Sequence, residues 1–161
     1  FGNGFDATID YVRYDLTNAY LPTGADADTD GMPDSWEFFY YNPGGTYTAM
    51  VSALTNAVAG DDDDGDGSTN LEEYIANTDP HNAVSVLKTG DIEVLGGNLV
   101  QVTLLTSPQR NYTLLKSLDL GLTDPWSAIA GPTVGTDGDL IFQDTNVLSS
   151  QKFYRVSVSL P

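Results

Sequence analysis

Residues 61–74 read DDDDGDGSTNLEEY, and the spacing within them decides how the chain is organised. Counted from Asp62, the run places Asp62, Asp64, Asp66, Gly67, Ser68, Asn70 and Glu73 at positions 1, 3, 5, 6, 7, 9 and 12. An EF-hand-type calcium loop uses these same positions. Alternate side chains bring oxygens to one centre. Gly67 permits the sharp turn, and Ser68 offers its backbone carbonyl. Glu73 enters from the first turn of the next helix and can bind through both oxygens. Asp61 falls outside the register.

The pattern occurs a second time, upstream. In DADTDGMPDSWE, Asp26, Asp28, Asp30, Gly31, Met32, Asp34 and Glu37 take the same seven positions, with Met32 supplying its carbonyl. Both runs lead into an apolar helix start, Trp36-Glu37-Phe38-Phe39 and Leu71-Glu72-Glu73-Tyr74. An Asp run is more often a solvated linker. A linker, however, has no use for Gly at position 6 and Glu at position 12, twice in one register.

The segment DDDDGDGSTNLEEYIANTDPHN resembles the dockerin-like and thrombospondin type 3-like repeats of secreted bacterial proteins. The first loop resembles the partner repeat of that pattern, DxDGxPDxWE. The resemblance covers about residues 26–82. It implies two bound Ca2+ ions and an extracellular or cell-surface setting. Asp79 matches the terminal Thr-Asp-Pro of the repeats, where it either adds an oxygen to a calcium site or caps the helix. In dockerins proper, two near-duplicate loops present a cohesin-binding face. Here the first loop lacks an incoming helix and the spacer Phe38–Gly60 is not repeated, so the residues do not favour a cohesin-like partner.

A chain of 161 residues holds one domain or two small ones, and 40% hydrophobic residues is ordinary for a globular protein. The net charge of −17 is not ordinary. Five acids lie in 26–37 and seven in 61–73, so twelve of the 23 sit in the two loops. The charge is therefore mostly local, and two doubly charged ions would bring −17 to about −13. Six Lys and Arg cannot neutralise a phosphate track, which argues against nucleic acid. With no cysteine, disulfides cannot staple an exported chain, and calcium can take that role. No signal peptide and no 18-residue apolar run is visible, so no membrane span is expected. The chain begins at Phe1 without Met, as a processed protein or a fragment would.

Residues 1–22 read as an extended arm. Phe5, Ala7, Ile9 and Tyr11 alternate with polar residues, and the phase then slips to Val12, Tyr14 and Leu16. No hairpin partner follows before the first loop, and a lone apolar strand is not stable in water. Residues 23–82 form the helical calcium module. Its expected helices span about 33–41, 48–59 and 70–76, and Trp36, Phe39 and Tyr40 pack against Leu54, Leu71 and Tyr74. These aromatics read as core filling in preference to a sugar platform. From residue 83 the period becomes two, with strands expected near 85–88, 91–95, 99–106, 112–116, 127–129, 139–143 and 153–159. Many short strands with Gly, Pro and Asp turns predict an Ig-like antiparallel β-sandwich over 83–161. The fold class is thus mainly β: a lone N-terminal strand, a small helical EF-hand-like insert and the sandwich. The run from Tyr112 through Trp126 to Phe153-Tyr-Arg-Val resembles small sandwiches placed near the C-terminus of large secreted bacterial proteins.

No catalytic constellation is apparent. His81 is the only histidine, no Gly-x-Ser-x-Gly elbow is present, and zinc is disfavoured without cysteine. The clustered carboxylates are accounted for by calcium, and Asn111-Tyr112-Thr113 reads as a strand start as well as a sequon. Lys88, Lys116 and Lys152 are the lysines that an isopeptide link to Asn or Asp would use. Two functions fit. The first is a structural subunit of an extracellular fibre, a helical homopolymer in which Phe5, Ala7, Ile9, Tyr11, Val12 and Tyr14 fill a groove in a neighbour's sandwich. That arrangement is similar in architecture to donor-strand exchange in bacterial pili. The second is an accessory module of a large secreted enzyme or adhesin, because residues 9–14 resemble the last strand of laminin-G-like or concanavalin-like domains.

Overall fold

The computed structural model describes residues 24–42, 53–96, 98–146 and 151–161. The donor positions Phe5, Ala7, Ile9, Tyr11, Val12 and Tyr14 lie outside the described residues. Helix α1 spans Asp34–Tyr41, residues 53–56 are helical (α2), and α3 spans Asn70–Ala76. Six strands follow: β1 Ile92–Leu95, β2 Leu99–Leu105, β3 Asn111–Ser117, β4 Ser127–Val134, β5 Asp139–Asp144 and β6 Phe153–Ser159. They form two antiparallel three-stranded sheets, β1-β2-β5 and β4-β3-β6. The described chain is mainly β with few short helices. No helix among the described residues is long and apolar enough to cross a membrane.

Helix α3 begins at Asn70 because both halves of its N-terminal cap are present. The Glu72 amide donates to the Thr69 hydroxyl (3.3 Å) and the Glu72 carboxylate accepts from the Thr69 amide (2.9 Å). It ends at Asn77, which takes the left-handed conformation (φ 62°) and returns its amide to the last turn. Trp36, Tyr74, Met32 and Ala57 form the buried centre of the helical part, and Trp36 meets Tyr74 edge-on at 5.8 Å.

In the sheets the alternation is direct. Val100, Val102 and Leu104 of β2 pack with Tyr112 and Leu114 of β3 and Phe142 of β5 in one core shared by both sheets. The β1–β2 hairpin pairs Leu95 with Leu99, and Asn98 supplies the positive φ (64°) that the turn needs.

Three expectations are corrected. Residues 85–88 are not a strand. The Ser85 amide donates to the Asn82 carbonyl, its hydroxyl accepts from the Asp79 amide, and Lys88 reaches back to the Val84 carbonyl, so the segment wraps the α3 exit. The helix expected over 48–59 is no longer helical after residue 56. The carbonyls of Val58 and Ala59 are taken by the Asn70 side chain and the Leu71 amide instead. Ala53 and Ala57 are its buried residues, whereas Leu54 is half-buried and Val58 is exposed. Strand β4 continues through Gly131-Pro132 to Val134, where the sequence suggested a stop; the register shifts there as at a bulge.

Arg110, from the β2–β3 turn, joins the two halves. It is fully buried, and it donates from Nε to the Ile75 carbonyl (2.8 Å) and from Nη2 to the Tyr74 carbonyl (2.9 Å). Its guanidinium thereby satisfies carbonyls at the C-terminal end of α3, where a cation also suits the helix dipole. Replacing it removes a buried charge with its hydrogen bonds and leaves two buried carbonyls short of a donor. Arg110→Met should therefore cost about 2–4 kcal/mol, read as a fall in Tm by circular dichroism. Arg155→Ala, which removes a surface cation stacked on Trp126 at 4.6 Å, should cost less than about 1 kcal/mol.

Candidate metal centres

The two acidic loops share most of their backbone-to-carboxylate hydrogen bonds. In the first, Asp26 accepts from the amides of Thr29 (2.7 Å) and Gly31 (3.1 Å). In the second, Asp62 accepts from Gly65 (2.8 Å) and Gly67 (2.9 Å). The Met32 amide donates to Asp30 (2.9 Å) as the Ser68 amide donates to Asp66 (2.7 Å). Asp34 donates its amide to the Ala25 carbonyl as Asn70 does to the Asp61 carbonyl. The position-6 glycines have nearly equal dihedrals, φ 98° at Gly31 and 99° at Gly67. Side chains rarely adopt that conformation, which explains the glycine in both loops. Position 4 is also left-handed in both, but there the first loop uses Thr29 (φ 64°) and the second Gly65 (φ 78°).

Each loop gathers carboxylate oxygens. One oxygen from each of Asp26, Asp28 and Asp30 lies within 4.8 Å of the others, and Asp62, Asp64 and Asp66 do the same. Either triplet can hold a metal ion. The residues at position 12 add a second observation. Glu37 and Glu73 are 0% and 1% exposed, and no carboxylate oxygen of either has a hydrogen bond of good geometry. Asp64 Oδ2, Asp66 Oδ2 and the Asn70 side-chain oxygen are likewise buried without a donor. Buried polar atoms are almost always paired, so a cluster of orphan oxygens is a place where a cation could be held. The donor set is oxygen throughout, which suits a hard cation and not zinc or copper.

The remaining site residues from the sequence fall as follows. Asp34 Oδ1 accepts from the Ala27 amide at 2.7 Å, bracing its loop. The Met32 side chain is buried in the helical core. Asp79 Oδ1 accepts from the His81 amide (3.1 Å), which caps the turn after α3, and its charge also reaches Glu73. His81 lies beside Tyr41, ring centroids 4.8 Å apart, and 3.9 Å from Asp63. Two contacts gave no sequence signal. Tyr41, the last residue of α1, donates to Asp63 at position 2 of the second loop (2.6 Å) and ties the loops together. Lys152 and Tyr154 both donate to Asp144 Oδ2, at 2.6 and 2.9 Å. Of the three lysines singled out, Lys152 thus makes a buried ion pair with an aspartate.

The electrostatics of the metal-free loops follow from this geometry. Burial pushes the Glu37 carboxyl up to about 8, helped by Asp28, Asp30, Asp34 and Asp26. Burial pushes Glu73 up to about 7, with Asp64 and Asp66 adding to it and the Thr78 hydroxyl pulling the other way. Burial also raises Asp30, against the pull of the Met32 amide. A carboxyl whose folded pKa is raised stabilises the fold below its unfolded value, and that stability is lost as pH rises through the folded value. The metal-free chain should therefore lose stability as pH rises from about 4.5 through 8. Asp119 and Asp144 are lowered, so they act in the opposite sense and only below that window. Melting in chelator should show a lower Tm at pH 8 than at pH 5.5. Saturating divalent cation should flatten or reverse the slope, because the metal requires ionised carboxylates.

Comparison of the chain with protein-family models, with characterised proteins and with solved structures gave no match.

Proposed function

We propose that the chain is a calcium-stabilised structural subunit of an extracellular bacterial fibre. The observation that carries the calcium reading is the pair of fully buried glutamates, neither with a hydrogen bond of good geometry, at position 12 of two loops that share most of their bonds. A bidentate Glu with three Asp oxygens and a carbonyl gives the high, flexible oxygen coordination of Ca2+. Mg2+ demands octahedral geometry and keeps its waters, and so fits less well. Bound calcium would supply charge neutralisation and fixed geometry. Asp26, Asp28, Asp30, Met32, Asp34 and Glu37 would hold one ion. Asp62, Asp64, Asp66, Ser68, Asn70 and Glu73 would hold the other. Extracellular calcium is millimolar, enough to keep sites of the usual module affinity filled.

The fibre reading rests on the strand order. In β1-β2-β5 against β4-β3-β6, β1 to β3 correspond to strands A, B and C of an Ig-like sandwich, β4 to C′, β5 to E and β6 to F. The strand that would follow beyond β6 is lacking among the described residues. Residues 5–16 alternate as a strand should, and a neighbour's copy of them would complete such a sheet by β-strand addition. A head-to-tail contact of this kind propagates into a filament unless its rotation closes. The resemblance of both loops to repeats of secreted bacterial proteins supports the location.

Excess EGTA should lower the Tm and increase hydrogen exchange over residues 24–80; an unchanged Tm would rule out the calcium reading. Asp64→Ala and Glu73→Ala should each lower calcium affinity at the second loop at least tenfold by calorimetry. Asp61→Ala should change it little, since Ala25 already stands at the matching place of the first loop.

The fibre reading is tested by light scattering and negative-stain microscopy in millimolar calcium. The full chain should form polymers and the chain lacking residues 1–16 should not. Monomers from both would leave a calcium-stiffened accessory module.

A further inference from the structure

The sandwich is closed on one side and open on the other. Strands β4 and β5 touch and close one side. On the opposite side, β1 is the outer strand. Its register pairs Ile92 with Val102 and Val94 with Val100. Directly opposed residues of an antiparallel pair share a face of the sheet. Val100 and Val102 are core residues, 4% and 0% exposed, so Ile92 and Val94 also face inward. Yet in the isolated chain Ile92 is 52% and Val94 82% exposed.

The same mismatch recurs at β6. Val156 and Val158 pair with Leu114 and Tyr112, which are buried, and so point inward. They are only half-buried, and with Ile75, Ala76 and Leu87 they line a cleft of about 360 Å³ against α3. Inward-facing apolar side chains are thus exposed on β1 and only half-buried on β6, so this side of the core is incompletely covered by the described residues.

The strand edges point to what the cover is. At one edge of its sheet, β4 carries Pro132, which has no N–H, a common device against edge-to-edge pairing. At the other edge, β6 (FYRVSVS) has no proline, no glycine and one charge, Arg155, which is held over Trp126. Among the described residues no strand pairs with this edge, although α3 contacts β6, and an unpaired edge of seven residues next to a partly covered apolar face is a template for one more strand.

We infer that residues 5–16 of a second copy add as a strand at the free edge of β6, closing the side bounded by β1 and β6 over Ile92, Val94, Val156 and Val158. This rests on the reading of the chain as a fibre subunit and names its acceptor. Twelve extended residues reach roughly 40 Å, more than the roughly 23 Å that seven residues of β6 span. Their alternation presents Phe5, Ala7, Ile9 and Tyr11, or after the slip Val12, Tyr14 and Leu16, to one face. The occupant is assigned to a second copy because the fibre reading requires a strand passed between neighbours.

The chain has no cysteine, so single thiols can be placed without interference. One full-length chain carries Asp10→Cys, and a second carries Ser157→Cys on β6 or Thr133→Cys on β4. The chains are mixed in millimolar calcium and joined with a short bismaleimide. The link to position 157 should exceed the link to 133 at least tenfold. A separate full-length Val94→Asp variant should lose polymers by light scattering and keep its calcium-dependent Tm; Val94 is exposed, so the fold does not depend on it. Polymers that form without the preference for 157, or that survive Val94→Asp, would overturn the acceptor and leave the fibre reading standing. A third full-length chain carries both Asp10→Cys and Ser157→Cys; a link formed only within it, with no polymer, would overturn the second-copy occupant and the fibre reading together.

Discussion

Burying a carboxylate without a hydrogen bond of good geometry costs several kcal/mol, and this chain does so at both Glu37 and Glu73. Each glutamate projects from the first turn of a short helix whose other residues fill the helical core. The helices cannot move outward to hydrate the charge without pulling Trp36 and Tyr74 out of that core. Two outcomes remain for the folded chain. The glutamates take up protons, as their raised pKa values in the metal-free state imply, or a cation takes the protons' place. The same residues thus set the pH response and would set the response to a bound cation.

Helix α3 carries this constraint into the rest of the molecule. Its N-terminal turn holds Asn70 and Glu73, its C-terminal carbonyls are held by Arg110, and Ile75 and Ala76 border the cleft beside β6. Seven residues are too few for a stable isolated helix. α3 persists because its two ends are fixed from opposite directions, one by the acidic loop and one by the sandwich. Whatever orders the second loop therefore also orders one wall of the open side.

How much of this was legible depends on the range of the interaction. The clustering of loop oxygens was readable because gathering them at one centre requires them at fixed, short intervals, and Gly67 and Glu73 mark the turn and the buried carboxylate after it. The bounds of α3 were readable for the same reason: Thr69, Glu72 and Asn77 act within four residues of themselves. Arg110 was not readable, since its partners Tyr74 and Ile75 lie more than thirty residues away. Residues 85–88 misled because Val84 and Val86 alternate as in a strand, and nothing local shows that no partner strand is present. Leu54, expected to pack against the aromatics, is only half-buried, and Ala57 packs against Trp36 and Tyr74, which already fill the space so that only a small side chain lets the turn approach.

The open side of the sandwich shows a kind of inference that composition cannot provide. Exposed Ile and Val are common on protein surfaces and mean little one at a time. Ile92 and Val94 acquire meaning only once their register with Val102 and Val100 places them on the inner face. The contrast between the two edges of the second sheet then adds direction: β4 is interrupted by Pro132, while β6 runs without a break from Phe153 to Ser159. An edge meant to stay solitary is usually blunted by charge, proline or a bulge. Here the blunting devices, Pro132 and the register shift beside it, lie on the closed side of the sandwich, and the bare edge borders the uncovered core. Protection of the edge and coverage of the core thus fail on the same side, as expected where a further strand is to add.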